Sequence, residues 1–99
     1  MAIDLGPIRK RFVERLPERI APIVAGLAEP GPTATREIRD ALHKLTGTAA
    51  TIGFTTVSEA ARTAELSAER CLDGPLDEAA TAAVQAALAA VHRAAADFT

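Results

Sequence analysis

The chain contains no Trp and no Tyr, and its three Phe are the only aromatic residues in 99 positions. A core built on large aromatic side chains is therefore excluded. A single cysteine, Cys71, excludes an internal disulfide framework and makes a reducing compartment the default. Only two histidines occur, His43 and His92, and neither belongs to a Glu-x-x-His motif, so the metal cage of carboxylate-rich bundles is not expected. No stretch approaches the ~20 apolar residues of a membrane span. The start, MAIDLGPIRKRF, lacks the apolar run of a secretion signal. A soluble, cytoplasmic protein with no membrane association is expected. Formal net charge is −2, which argues against nucleic acid as a partner. There is no Walker-type loop, no kinase glycine loop and no carboxylate cluster, so no kinase or hydrolase centre is expected.

What is present is alanine and helical periodicity. Residues 4–16 read as a short first helix, with Leu5, Ile8, Phe12 and Leu16 on one side. Pro7 suits its first turn. Arg9, Lys10, Arg11 and Arg15 read as a solvated face, or as a patch that steers an acidic partner. Pro17 starts or kinks a second helix to about Glu29, with Leu16, Ile20, Ile23 and Leu27 as its buried stripe and Val24 beside it. Pro22 either bends that helix or moves its true start to near Ala21. Pro30-Gly31-Pro32 is a stop. Thr33 or Thr35 can cap a third helix that runs to about Ile52, and Gly53 stands where a left-handed terminator is expected. Thr56-Val57-Ser58-Glu59 matches a capping box for a fourth helix, striped by Val57, Ala61, Ala64, Ala68 and Cys71. Leu66 lies opposite that stripe. After Asp73-Gly74-Pro75, Asp77 can cap a last helix to about Phe98 through Val84, Leu88, Val91 and Ala95. Strand patterns and internal repeats are absent. The expected fold is all-α: one domain over residues 1–99, an antiparallel up-down four-helix bundle with a short additional N-terminal helix. Met1 and the compact length suggest a domain that stands alone.

The third helix carries the chemistry. Ile38, Leu42, Leu45, Ala49 and Ile52 share one face. At about 100° per residue, His43 points roughly 140–150° away from that face, toward solvent. Around it lie Arg36, Arg39, Thr46, Gly47 and Ala50. A mid-helix glycine costs about 0.8–1.0 kcal/mol relative to alanine. Gly47, one turn beyond His43, either opens the imidazole to a phosphoryl group or another protein, or accommodates a neighbouring helix. Arg39 and Arg36, one and two turns before, can lean toward a phosphoryl group through charge-assisted contacts. Otherwise they make weak surface pairs with Glu37 and Asp40. His92, with Arg93 and three alanines after it, lacks such a surround and reads as a cation near a helix end. Cys71 reads as a small core residue. Glu59, Arg62, Glu65, Glu69 and Arg70 read as a solvated face, with Arg62 or Glu65 able to border a docking site.

This pattern resembles the histidine phosphotransfer (HPt) domains. They carry His, then Leu at the second position, Lys at the third, Gly at the fourth and Gly at the tenth. His43, Leu45, Gly47 and Gly53 stand in those places, and Val57 and Ala64-Glu65 fall where the family tends to have Leu and a Leu-Glu pair. The Phe12–Glu18 stretch also looks like family members. The resemblance implies a phosphocarrier, not an enzyme. His43 would accept a phosphoryl group from the aspartyl-phosphate of a response-regulator receiver or a hybrid histidine kinase and pass it to another receiver. The domain itself would need no cofactor, since Mg²⁺ belongs to the receiver. Arg39, Thr46, Gly47, Arg36, Lys44 and Ala50 would stabilise phosphate or dock the partner. The family's Lys is replaced here by Thr46, which brings a hydroxyl but no charge. Lys44 sits about 100° round the helix, a poor substitute, and Arg39 is better placed. Two other readings stay open: an HPt-like adaptor that docks receivers without being phosphorylated, and a generic helical interaction bundle.

Overall fold

A computed structural model describes residues 4–98, and five helices account for almost all of them. They are α1 (Gly6–Glu14), α2 (Leu16–Ala28), α3 (Pro32–Thr51), α4 (Thr55–Glu69) and α5 (Glu78–Phe98). α3 packs against α2 and α4, α4 packs against α5, and α1 touches α2 and α5. The all-helical bundle expected from periodicity is thus present. No helix among the described residues is long and apolar enough to cross a membrane.

The core forms where the apolar stripes meet. Ile23, Ile38, Leu42, Leu45, Val57, Val84 and Val91 are its largest fully buried hydrophobic side chains. Between α4 and α5 the filling is alanine: Ala61, Ala64, Ala68, Ala80 and Ala87 are all buried. Gly26 does the same between α2 and α3, since a Cβ there would stand 2.8 Å from Ile38 Cδ1 and Cγ1. The α2 stripe differs slightly from its periodic expectation. Gly26 completes it, Leu27 is partly buried and Val24 is exposed. Cys71 lies beyond α4 in the following turn and is only partly buried, so it borders the core instead of filling it.

Several ends are built differently from their sequence signatures. Pro22 neither moves the start of α2 nor breaks it: the helix runs through. Pro22 is on the solvent side, where the carbonyl left without its N–H donor can bond to water. Thr33 and Thr35 do not cap α3, whose N-cap is Gly31 with no side-chain bond. Thr35 is buried within the helix, and its Oγ1 lies 3.0 Å from the Gly31 carbonyl and 2.7 Å from that of Gly74. The hydroxyl thereby ties the start of α3 to the loop after α4. The capping box at Thr56 does not form either: α4 starts at Thr55 after Phe54, with no side-chain cap. Phe54 is held there by a stack on Phe12 (5.3 Å between ring centroids) and an edge contact with Phe98 (6.1 Å). Asp77 does cap α5, accepting the Ala80 N–H at 2.7 Å.

The turn between α3 and α4 sets the register of the site. Gly53 has φ +85°. Phe54 N–H donates to the Ala49 carbonyl at 2.9 Å and Gly53 N–H to that of Ala50 at 3.3 Å, the bond pattern of a Schellman ending. Arg9 is not part of a solvated face. Its Nε donates to the Ile52 carbonyl at 2.7 Å, and its guanidinium lies 5.8 Å from the Phe54 ring centroid. A Cβ on residue 53 would need both a left-handed backbone and a shift of Arg9, whose Nη2 would be 2.5 Å away. Gly53→Ala should therefore destabilise the bundle by about 1–2 kcal/mol. Urea unfolding followed by circular dichroism measures this, and an unchanged midpoint would contradict it.

Candidate functional site

His43 stands on the outer face of α3, and its side chain is 71% exposed. Its placement follows from Leu42 and Leu45, which are buried on either side of it in sequence. The ring is nonetheless held. Nδ1 lies 2.7 Å from Oε2 of Glu65 on α4. Glu65 is itself only 4% exposed, and its Oε1 is buried without a partner. A neutral ring that donates its Nδ1 proton to this carboxylate has its lone pair on Nε2. The contact orients the ring and leaves Nε2 turned away from Glu65.

The pairing corrects the reading of Glu65 as one charge of a solvated face. Glu65 follows Ala61 by four residues and Ser58 by seven, so it borders the buried stripe of α4 and shares a line with Ser58. Ser58 Oγ donates to the Thr46 carbonyl at 3.1 Å, while Glu65 meets His43. The two contacts run in opposite senses along α3 and α4. The signal for this role in the sequence is the position of Glu65 on the edge of an apolar stripe, opposite a histidine on the neighbouring helix.

The residues expected around His43 separate into two groups. On the wheel of α3, Lys44, Gly47, Thr48 and Thr51 fall on one side of His43, and Arg39, Thr46 and Ala50 on the other. The first group lines an open hollow with His43, Ile52 and Arg19 of α2. Arg39 is not in this hollow. Its Nε pairs with Asp40 Oδ1 at 2.8 Å, so its charge is already engaged. Thr46 donates its hydroxyl to the Leu42 carbonyl at 2.8 Å, which leaves no free donor for a phosphoryl oxygen. Arg36 and Ala50 are exposed on α3 but do not line the hollow. Lys44, a poor substitute by helical angle, does border it. Arg19 carries no signal in the sequence, because it comes from another helix and its separation from His43 follows no period.

Gly47 is exposed, and nothing lies within 4 Å of a Cβ built on it. The packing explanation for this glycine is thereby removed, and open access to the imidazole remains. Gly47→Ala should stabilise α3 by about 0.8–1.0 kcal/mol, and thermal unfolding checks the sign. Gly47→Leu should keep the fold while its side chain crowds the approach to Nε2. A leucine variant that accepts phosphate at the normal rate would remove the functional reason for the glycine.

His92 offers a contrast. It is exposed on α5, and no carboxylate pairs with it among the described residues. The described residues also hold no group of three or more His, Cys, Asp or Glu placed to bind a metal ion.

Comparison with known proteins gives one result at the family level. The family model described as the Hpt domain matches residues 7–94, nearly the whole chain. No curated protein and no solved structure matches.

Proposed function

Because this chain belongs to the Hpt domain family, we propose that it is a phosphorelay intermediate whose phosphoacceptor is His43. Hpt domains are phosphocarriers of phosphorelay signalling and interact with response-regulator receiver domains. The observation that carries the assignment to His43 is its bond to the buried Glu65, 2.7 Å from Nδ1, on an otherwise exposed ring.

The chemistry follows from that bond. The Nε2 lone pair attacks the phosphorus of an aspartyl-phosphate on a receiver domain. An N–P bond forms, the acyl P–O bond breaks, and the receiver's aspartate leaves as a carboxylate. The proton on Nδ1 stays in place. The positive charge that develops on the ring is met by the Glu65 carboxylate, which strengthens the contact as the reaction proceeds. Transfer to a second receiver is the reverse step on a new aspartate. Mg²⁺ and the acidic pocket are supplied by the receiver, so this chain brings only the oriented nucleophile and a docking surface. A further hollow lined by Ile8, Arg11 and Arg15 shares Arg19, Thr48 and Ile52 with the His43 hollow. Its basic residues suit the acidic face of a receiver and would steer encounter.

Thr46 favours a second reading, a receiver-docking adaptor that carries no phosphate, because its hydroxyl is committed to Leu42. One experiment separates the two. The protein is incubated with a phosphorylated receiver domain and acid-labile, base-stable label is followed. Label on the wild type supports the carrier. Binding to the receiver without label supports the adaptor.

A further inference from the structure

The geometry points to Arg19 as the cation that receives the phosphoryl group on His43, supplied from α2 in place of the lysine missing at position 46. This rests on His43 being the phosphoacceptor. Four observations carry it. Arg19 and His43 line the same open hollow. Nδ1 of His43 is turned to Glu65 on α4, so the opposite edge of the ring is left for the side of α3 on which Lys44, Gly47 and Thr51 lie. Arg19 has no partner for its charged group: among the described residues no carboxylate makes an ion pair with it, and its Nε is buried with no acceptor. Finally, its guanidinium lies over the Phe12 ring, 5.4 Å from the centroid, which holds it in place.

The alternatives on α3 are weaker. Arg39 is paired with Asp40 and lies on the other side of the ring. Lys44 borders the hollow but is exposed on a flexible four-carbon stem, so ordering it costs side-chain entropy that a stacked guanidinium has already given up. Glu18, Glu37 and Asp40 line the adjoining groove with Arg19, yet none makes an ion pair with it. A phosphoryl dianion on Nε2 would give Arg19 the ion pair it lacks, and a guanidinium can hold two of its oxygens at once.

Phosphoramidate serves as the test donor, since it phosphorylates histidine with release of ammonia and needs no partner protein. Arg19→Met keeps an apolar stem against Phe12 and removes the charge. It should accept phosphate about tenfold more slowly than wild type and lose the phosphohistidine sooner, with its thermal midpoint nearly unchanged. Arg19→Lys should recover most of the rate and lifetime, which a purely packing role would not produce. Arg93→Met, which removes a charge from α5, should behave as wild type. If Arg19→Met matches wild type in rate and lifetime while His43→Gln takes no label, Arg19 has no such role. Slowing confined to Lys44→Met gives the role to Lys44 and overturns the proposal. Label that persists in His43→Gln removes the phosphoacceptor reading itself, and the Arg19 role with it.

Discussion

Replacing His43 with glutamine should reduce phosphoryl acceptance to background and leave the bundle folded. The loss is complete in principle, because α3 carries no other imidazole and the second histidine, His92, lies on α5. Glutamine is the informative choice. Its amide is a donor that can satisfy the Glu65 carboxylate, now held by Nδ1 at 2.7 Å. Alanine would leave that carboxylate buried with no partner, at about 1–3 kcal/mol. The expected ranking of thermal midpoints is therefore wild type close to His43→Gln, with His43→Ala lower. In a domain of this size 1 kcal/mol moves the midpoint by roughly 4–8 °C, so the difference is measurable. His92→Gln should label normally. Label that stays after the His43 change but disappears after the His92 change would reverse the assignment.

Glu65→Leu should separate stability from function. Glu65 is 4% exposed, and one of its oxygens is buried without a hydrogen bond. Removing such a group for an apolar one of similar size gains stability when no buried partner is stranded. None is stranded here, because His43 is exposed and water can take over at Nδ1. A gain of about 1–3 kcal/mol is expected. Phosphoryl acceptance should meanwhile fall about 10–100-fold, the rate equivalent of losing one charge-assisted hydrogen bond in the transition state. Without Glu65 the ring is free to rotate and to exchange tautomers, so the lone pair is no longer kept at Nε2. Glu65→Gln should fall between the two, since its amide oxygen still accepts from Nδ1–H but brings no charge. Chemical denaturation and initial transfer rates on the same preparations measure both effects. A leucine variant that transfers at the wild-type rate would show that Glu65 does not orient the ring. One that is less stable than wild type would show that its buried oxygen is not a burden to the fold.

Some features are legible along the chain because they depend only on neighbours in sequence. The 3.6-residue period alone separates Ile38, Leu42, Leu45, Ala49 and Ile52 from His43, and all five are buried. Gly53 is readable as a left-handed terminator because no side chain is tolerated cheaply there. Asp77 is readable as a cap because its oxygen bonds three residues ahead. Local signals fail where a distant group outcompetes the local one. Thr35 gives its hydroxyl to Gly74. Phe54 takes the cap position because Phe12 and Phe98 hold it. Arg9 leaves the solvent for the end of α3.

Periodicity and turn chemistry therefore specify the helices, most of their buried faces and the exposed histidine. Tertiary packing decides that Gly47 is open and which groups meet that histidine. Glu65 lies 22 residues along the chain from His43, and Arg19 comes from the helix on its other side. The physical reason is that periodicity specifies the angle of each side chain about its own helix axis. It carries no information on how far one helix slides along another or how each is rotated toward its neighbour. Those two quantities are set by the packing of Gly26 on Ile38, by the alanine contacts of α4 and by the turn at Gly53, and they bring the Glu65 carboxylate against the imidazole and Arg19 into the hollow that the imidazole lines.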